Sequence, residues 1–277
     1  MKLKRMDLTK KEWLKLFLIA ATATIFRLIL QVFMPDTGST PLPPSIIVKS
    51  GLMPIAFTVF GLLVYGLLAV VFVLIRDGLP GKRMMKGLRF GLAFGLMWVV
   101  YLFEPLPFNS GTPLMDMLAY PLADGVALFV LGLLLGRFMV RDSAEPGKKG
   151  KGPAIMPLAV IPVLFMVARY VGYTVIHIDS DYTARPLETM AWVCATGLWV
   201  GVMYFLLRPG IAVKSPLVKA GYFGLLVFGI DLFLFNFFIP LVFVVNIADM
   251  FIRAAIDIVA VMAGVYVYER ISVAREC

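Results

Sequence analysis

Eight apolar segments, each of about 20 residues, dominate this 277-residue chain. A helix that rises 1.5 Å per residue needs about 20 residues to cross roughly 30 Å of hydrocarbon. The chain is 61% hydrophobic and only 16% charged, which leaves too little polar surface for a water-soluble fold. The pattern predicts an all-α integral membrane protein with eight transmembrane helices. We expect spans at 13–34, 51–75, 87–104, 117–137, 155–176, 189–207, 220–240 and 249–268.

The positions of Lys and Arg predict how the spans are oriented. These residues cluster in the two terminal tails and around 76–89, 137–151 and 208–219, whereas the alternate loops hold only Lys49 and Arg185. Because positively charged loops stay cytoplasmic, we expect both termini in the cytoplasm and a multi-pass protein of the cell membrane. This placement explains the net charge of +9 without a nucleic-acid partner. Membrane lipids are the expected partners, with a small molecule or lipid as a candidate ligand, and the oligomeric state is open.

Several chemistries lack the residues they require. The chain has two cysteines, Cys194 and Cys277, and His177 is its single histidine. A disulfide framework, a cysteine-based zinc site and a Ser-His-Asp triad are therefore not expected. The sequence predicts no catalytic residues, no metal site and no cofactor.

The C-terminal half repeats charged and glycine positions of the N-terminal half at a constant offset of 133 residues. The matches are Lys86 with Lys219, Gly91 with Gly224, Asp116 with Asp249, Asp124 with Asp257, and Arg137 with Arg270. Each half contains four spans that start on the same side of the membrane. We therefore expect two parallel four-helix repeats, 12–140 and 155–270, joined by a cytoplasmic linker at 141–154 and related by a pseudo-two-fold axis along the membrane normal.

Six ionisable residues lie within the predicted spans and are the candidate ligand-binding residues: Arg27, Asp124, Arg169, Asp231, Arg253 and Asp257. Each costs about 2.5 to 3.5 kcal/mol on insertion scales, so such residues are rare and often functional. Their matched depths predict that Arg27 pairs with Asp124 and that Arg169 pairs with Asp257. Such pairs most often neutralise each other and fix helix register; the alternative is a ligand site.

Arg253 has a further expected partner on its own helix. Asp249, Arg253 and Asp257 follow one another at intervals of four residues, which places them on one helical face. The equivalent of Arg253 in the first half is Tyr120. This difference suggests that one half holds a binding role that the other has lost.

Asp231 lies near the predicted bilayer midplane, and the offset of 133 maps it to Trp98 rather than to another charge. A lone carboxylate at this depth is expected to be protonated or to hold a cation. The alternative is a hydrogen bond to nearby backbone or to the region of Asn236, with no further role.

Other features predict packing rather than chemistry. Glycines repeat every four residues at 87, 91 and 95 and again at 132 and 136, a spacing that lets membrane helices approach closely. Glu104 with the prolines that follow it, and Pro240, are expected to end the third and seventh helices. The four tryptophans are expected to be interface or packing residues.

A duplicated bundle with paired internal charges favours a small transporter or permease for a small solute, an ion or a lipid-like anion. The alternative is a non-catalytic membrane partner or sensor subunit whose intramembrane charges are structural. A lipid-modifying enzyme ranks third, because it would need a nucleophile or a metal cluster that the sequence does not supply. We therefore expect a non-enzymatic protein.

Overall fold

The computed structural model describes residues 8–34, 42–106, 114–140 and 156–274. Within these ranges the protein is all-helical, and eight helices are long and apolar enough to cross a membrane. This confirms the predicted number of spans and fits a polytopic membrane protein. The linker expected at 141–154 and the side chain of Asp116 lie outside the described residues.

The helices are named in chain order. They are α1 (Lys10–Val32), α2 (Ile46–Lys49), α3 (Met53–Ile75), α4 (Arg83–Leu102), α5 (Leu114–Met139), α6 (Pro157–Val171), α7 (Pro186–Leu207), α8 (Pro216–Gly221), α9 (Ile230–Val242) and α10 (Ile247–Ala274). A π-helical segment, Gly172–Ile176, extends α6, and a second one, Tyr222–Gly229, joins α8 to α9 into the seventh span.

The helix ends follow local chemistry, with some departures from the prediction. Thr9 and Glu12 form a capping box at the start of α1, which satisfies otherwise unpaired N–H groups. The last helix continues to Ala274, beyond the predicted end at 268. Pro240 lies inside the last turn of α9 and does not end it, and neither the short helix α2 nor the two π-helical segments were predicted.

Helix contacts divide the bundle into two groups. In the first half, α1 packs against α3 and α5, α4 packs closely against α5, and α3 also touches α5. In the second half, α6 packs against α7 and α10, and the seventh span packs against α10. Between the halves, α4 packs against α7 and α3 against α9, and the short helix α2 also contacts α9.

The predicted close approach of glycines is confirmed where α4 meets α5. A Cβ atom added at Gly87 would lie 2.2 Å from the carbonyl oxygen of Gly132, and one added at Gly95 would lie 2.7 Å from that of Gly125. Such distances mean that only glycine fits at these contacts. The two helices therefore pack backbone against backbone, as small residues allow inside membranes.

The connections at the end of the bundle away from the chain termini, here called the distal end, bind to one another. The backbone N–H of Ser45 donates to the carbonyl of Val242 at 2.9 Å, and that of Val244 donates to the carbonyl of Pro43, also at 2.9 Å. The hydroxyl of Ser45 donates to the carbonyl of Leu241 at 2.6 Å. The connection between α1 and α3 therefore closes over the turn between α9 and α10.

Candidate functional site

Five ionisable side chains meet at the distal end and are called here the charge network: Glu104, Arg169, Asp249, Arg253 and Asp257. Arg169 donates two parallel hydrogen bonds to Asp257, from Nε to Oδ1 at 2.6 Å and from Nη2 to Oδ2 at 2.5 Å. Its third nitrogen, Nη1, donates to Oε1 of Glu104 at 2.8 Å. The predicted pair of Arg169 with Asp257 is confirmed, in the strong bidentate geometry that a guanidinium and a carboxylate favour.

Arg253 completes the charge network from the next turn of α10. Its Nη2 donates to Oδ2 of Asp249 at 2.7 Å, as the four-residue spacing predicted. Its Nη1 lies 3.3 Å from Oε1 of Glu104. The backbone of Asp179 adds two bonds, donating to Asp249 at 2.9 Å and accepting from Arg253 at 3.0 Å. Both arginines therefore contact the carboxylate of Glu104.

Chain geometry at the end of α4 places Glu104 in this network. The helix ends at Leu102, and Pro105 cannot continue it because proline lacks the N–H group. Arg185 donates to the carbonyl of Leu106 at 2.7 Å and to Asp181 at 2.6 Å. The connection between α6 and α7 thereby holds the segment after Glu104 against the second half.

The charge network is enclosed by protein. The side chains of Asp257, Arg169 and Glu104 are 1%, 3% and 13% exposed, respectively. The Arg169 guanidinium also lies 4.9 Å from the centre of the Trp192 ring, a distance at which an aromatic face attracts a cation. These charges therefore interact with each other at low dielectric, where their attraction and the cost of any unpaired member are both large.

Among the described side chains of this network, three carboxylates face two guanidiniums. All three nitrogens of Arg169 are bonded, and among the described residues the unpartnered guanidinium nitrogen of this network is Nε of Arg253. The carboxylates do not gather into a group that could hold a metal ion within the described ranges.

Arg27 and Asp124 form a separate pair in the first half. Nε of Arg27 donates to Oδ1 of Asp124, and its Nη1 donates to Gln31 at 2.9 Å. The ring of Phe57 lies 5.4 Å from the guanidinium. The predicted pair is confirmed, and in contrast to the charge network its formal charges balance.

Asp231 has a partner that the sequence did not indicate. The indole N–H of Trp98 donates to Oδ1 of Asp231 at 2.7 Å, in place of the expected backbone or Asn236 partner. Asp231 is fully buried, and its Oδ2 has no hydrogen-bond partner in the part of the chain that the structure describes. The buried hydroxyl of Tyr101 lies beside this carboxylate, and it too lacks a bond of good geometry among those residues.

Two further indoles join the halves. Trp192 donates to the carbonyl of Val100 at 2.8 Å, and Trp199 donates to the carbonyl of Ala93 at 3.0 Å. Both of these bonds run from α7 to α4. The sequence indicated only packing for these tryptophans, because an indole N–H can reach a partner on any neighbouring helix.

Glu269 binds three groups near the end of the bundle that holds the chain termini. The sequence did not predict a role for this carboxylate. It accepts from the Tyr204 hydroxyl and from Lys219, each at 2.6 Å, and lies 2.8 Å from Nε of Arg208. The predicted 133-residue offset would match Glu269 to Gly136 in the first half. There the buried Lys86 donates instead to the carbonyl of Arg76 at 2.9 Å.

The chain was also compared with known proteins. No family model, no curated protein and no solved structure matches it. Any proposal for function therefore depends on the residues described above.

Proposed function

We propose that this protein is a small transporter or permease of the cell membrane, composed of two parallel four-helix repeats, and that the charge network is its solute or ion site. The observation that carries the proposal is Glu104. This carboxylate comes from the first half and binds two arginines of the second half, so that the described side chains of the network comprise three carboxylates and two guanidiniums. A site of this charge favours a cationic or protonated species over the lipid-like anion.

The helix contacts support the two repeats. Matching the four spans of each half in order, the contacts of α1 with α3 and α5 correspond to those of α6 with α7 and α10, and α4 with α5 corresponds to the seventh span with α10. The two larger contacts between spans of different halves, α4 with α7 and α3 with α9, exchange under the same matching. A two-fold relation produces this exchange, whereas a simple displacement of one half does not. The contact of α3 with α5 is the exception.

The bond between Trp98 and Asp231 supports the same relation. These residues are 133 positions apart, the offset of the duplication, and they contact each other. A residue that contacts its own equivalent lies close to the axis that relates the two halves. Binding sites of duplicated carriers lie at such repeat interfaces, and the charge network also bridges the two halves, through Glu104.

One observation favours the second candidate, a non-catalytic membrane partner or sensor subunit. Arg27 and Asp124 form a closed pair of balanced charge, and Glu269 is saturated by its three partners. Such contacts stabilise helix packing without any ligand. In this interpretation the charge network would also be purely structural.

Purified protein in liposomes distinguishes the two candidates. Flux would be measured for alkali cations, ammonium and organic amines, amino acids, sugars and carboxylic acids, with protein-free liposomes as the baseline. Glu104→Gln removes the surplus charge while leaving the other pairs in place, and Glu188→Gln is the matched control because that side chain is 63% exposed. We expect at least one solute to cross with the wild type and Glu188→Gln, and not with a folded Glu104→Gln.

Two results would contradict the transporter. One is flux through Glu104→Gln as fast as through the wild type. The other is no flux for any solute class together with a second membrane protein that co-purifies in stoichiometric amounts, which would favour the partner subunit.

A further inference from the structure

We propose that Asp231, together with Trp98 and Tyr101, forms a proton-binding site between the two halves, and that its occupancy changes the hydrogen bonds that join them. The role of this site in coupling solute movement to protons depends on the proposed transporter function. The proton binding itself does not, and it can be tested without any solute.

The environment of Asp231 does not suit a permanently ionised carboxylate. Oδ1 accepts from Trp98, and Oδ2 has no partner among the described residues, although the residue is fully buried. In the seventh span Asp231 lies 11 residues before the helix end at Val242, which is about 16 Å at 1.5 Å per residue, near the middle of the bilayer. A half-satisfied charge at this depth is costly, whereas a neutral acid is not.

Tyr101 gives the site a way to hold both protonation states. A tyrosine hydroxyl can donate or accept, whereas an indole N–H can only donate. When Asp231 is ionised, Trp98 donates to Oδ1, and a small adjustment of the Tyr101 side chain would let its hydroxyl donate to Oδ2. When a proton binds, Oδ2 carries it and donates to the Tyr101 oxygen, and the hydroxyl rotates to point elsewhere. One proton is gained or lost, and the hydrogen bond between Tyr101 and Asp231, which joins the two halves, reverses its direction.

The ionisable groups on the surrounding helices leave Tyr101 as the one that faces Asp231. On α10, Asp249, Arg253 and Asp257 belong to the charge network. Tyr268 and Glu269 of the same helix contact Arg208 near the end that holds the chain termini, and Tyr266 and Arg270 are exposed. Tyr222, at the start of the π-helical segment, lies nine residues before Asp231. The ionisable residue of α3, Tyr65, lies near the Arg27–Asp124 pair, and Lys49 ends the short helix α2.

Tyr101 also connects this site to the charge network. Its hydroxyl lies within electrostatic range of Asp257 and Arg169 as well as of Asp231, and it lies one turn before Glu104 on the chain. Tyr101 therefore lies between Asp231 and the charge network.

Local backbone geometry supports a functional position. The π-helical segment Tyr222–Gly229 ends two residues before Asp231, and wide turns of this kind frequently occur at functional sites. The equivalent stretch of the first half, within α4, is regular α-helix. The backbone before Asp231 is thus π-helical, whereas the backbone before Trp98 is α-helical.

The experiment is a pH titration of the purified protein, followed by tryptophan fluorescence and by infrared absorption. Neutralising a carboxylate bonded to an indole shifts the emission of that indole. We expect a sigmoidal shift in the wild type that is lost in Trp98→Phe and in Asp231→Asn. It should persist in Trp199→Phe, the matched control, because Trp199 donates to the backbone carbonyl of Ala93. Tyr101→Phe should move the midpoint without abolishing the shift.

Infrared spectra provide a test that needs no variant, since a protonated carboxyl group has its own carbonyl band. We expect this band to appear in the wild type as the pH falls. The proposal is overturned if the fluorescence shift survives Asp231→Asn, if no carboxyl band titrates, or if the shift follows sodium concentration at fixed pH. If Asp231 titrates but no solute crosses the membrane, the proton-binding site is supported and the transporter is contradicted. If a solute crosses but Asp231 does not titrate, the transporter is supported and the proton-binding site is contradicted.

Discussion

Nη1 of Arg169 donates a 2.8 Å hydrogen bond to Oε1 of Glu104 and so joins the second half of the bundle to the end of α4 in the first half. The same guanidinium already holds Asp257 with its other two nitrogens. Glu104 is therefore an additional acceptor, beyond the pairs that balance the arginines. Substituting Asp257 and substituting Glu104 should therefore change the free energy of unfolding by different amounts.

Asp257→Asn should destabilise the protein much more than Glu104→Gln. The first change leaves Arg169 without its bidentate partner, and removing one member of a buried pair costs about 3 to 5 kcal/mol. The second leaves both close pairs intact and keeps a carbonyl oxygen as acceptor, so it should cost about 1.5 kcal/mol, the lower end of the range for a hydrogen bond to a charged group. Thermal unfolding in detergent, with Glu188→Gln as the exposed control, measures the difference. Equal losses for the two variants would contradict the assignment of Glu104 as the surplus charge.

Arg27 and Asp124 should behave as a coupled pair. Arg27→Gln or Asp124→Asn alone leaves a buried charge unpaired and should cost about 3 to 5 kcal/mol, whereas the double variant should recover most of that loss. A double-mutant cycle of unfolding midpoints in detergent measures the coupling. If flux is also restored in the double variant, the pair is structural; additive single losses would show that the two residues do not depend on each other.

Gly132→Ala should separate α4 from α5. Its new Cβ would lie 2.5 Å from the carbonyl oxygen of Gly87, so backbone would have to move, at a cost of about 1 to 3 kcal/mol. Gly66→Ala is the matched control, because nothing lies within 4 Å of a Cβ added there, and alanine favours helix over glycine by up to about 1 kcal/mol. The unfolding temperature should fall for the first variant only. A fall of equal size for Gly66→Ala would show that helix propensity, not contact, sets the effect.

The distribution of Lys and Arg predicts that the connection between α6 and α7 is external and that the one between α7 and α8 is cytoplasmic. In a background with both cysteines replaced by serine, Thr183→Cys and Ser215→Cys place single thiols at exposed positions of these two connections. A membrane-impermeant maleimide added to intact cells should label the first variant, and it should label the second only after lysis. The opposite result would invert the orientation of the whole protein.

Much of the architecture was predictable because it depends on local properties of the chain. Hydropathy and segment length identify a span without knowledge of its neighbours, and the eight apolar helices appear where they were expected, with the ends displaced by a few residues. Close helix approach at Gly87 and Gly132 followed from residue size. The pairs Arg27 with Asp124 and Arg169 with Asp257 followed from depth, since residues at the same level of a bundle are the nearest available partners.

Contacts between the halves were decided by tertiary structure. Glu104 was expected to be part of a helix stop, and its binding to Arg169 depends on how the segment after α4 crosses to the second half. Asp231 was singled out as a lone charge, but its bond to Trp98 depends on the rotation of two helices about their axes. A sequence fixes the depth of a residue through the 1.5 Å rise of the helix. The direction in which its side chain points across a bundle is set only when all the helices pack together.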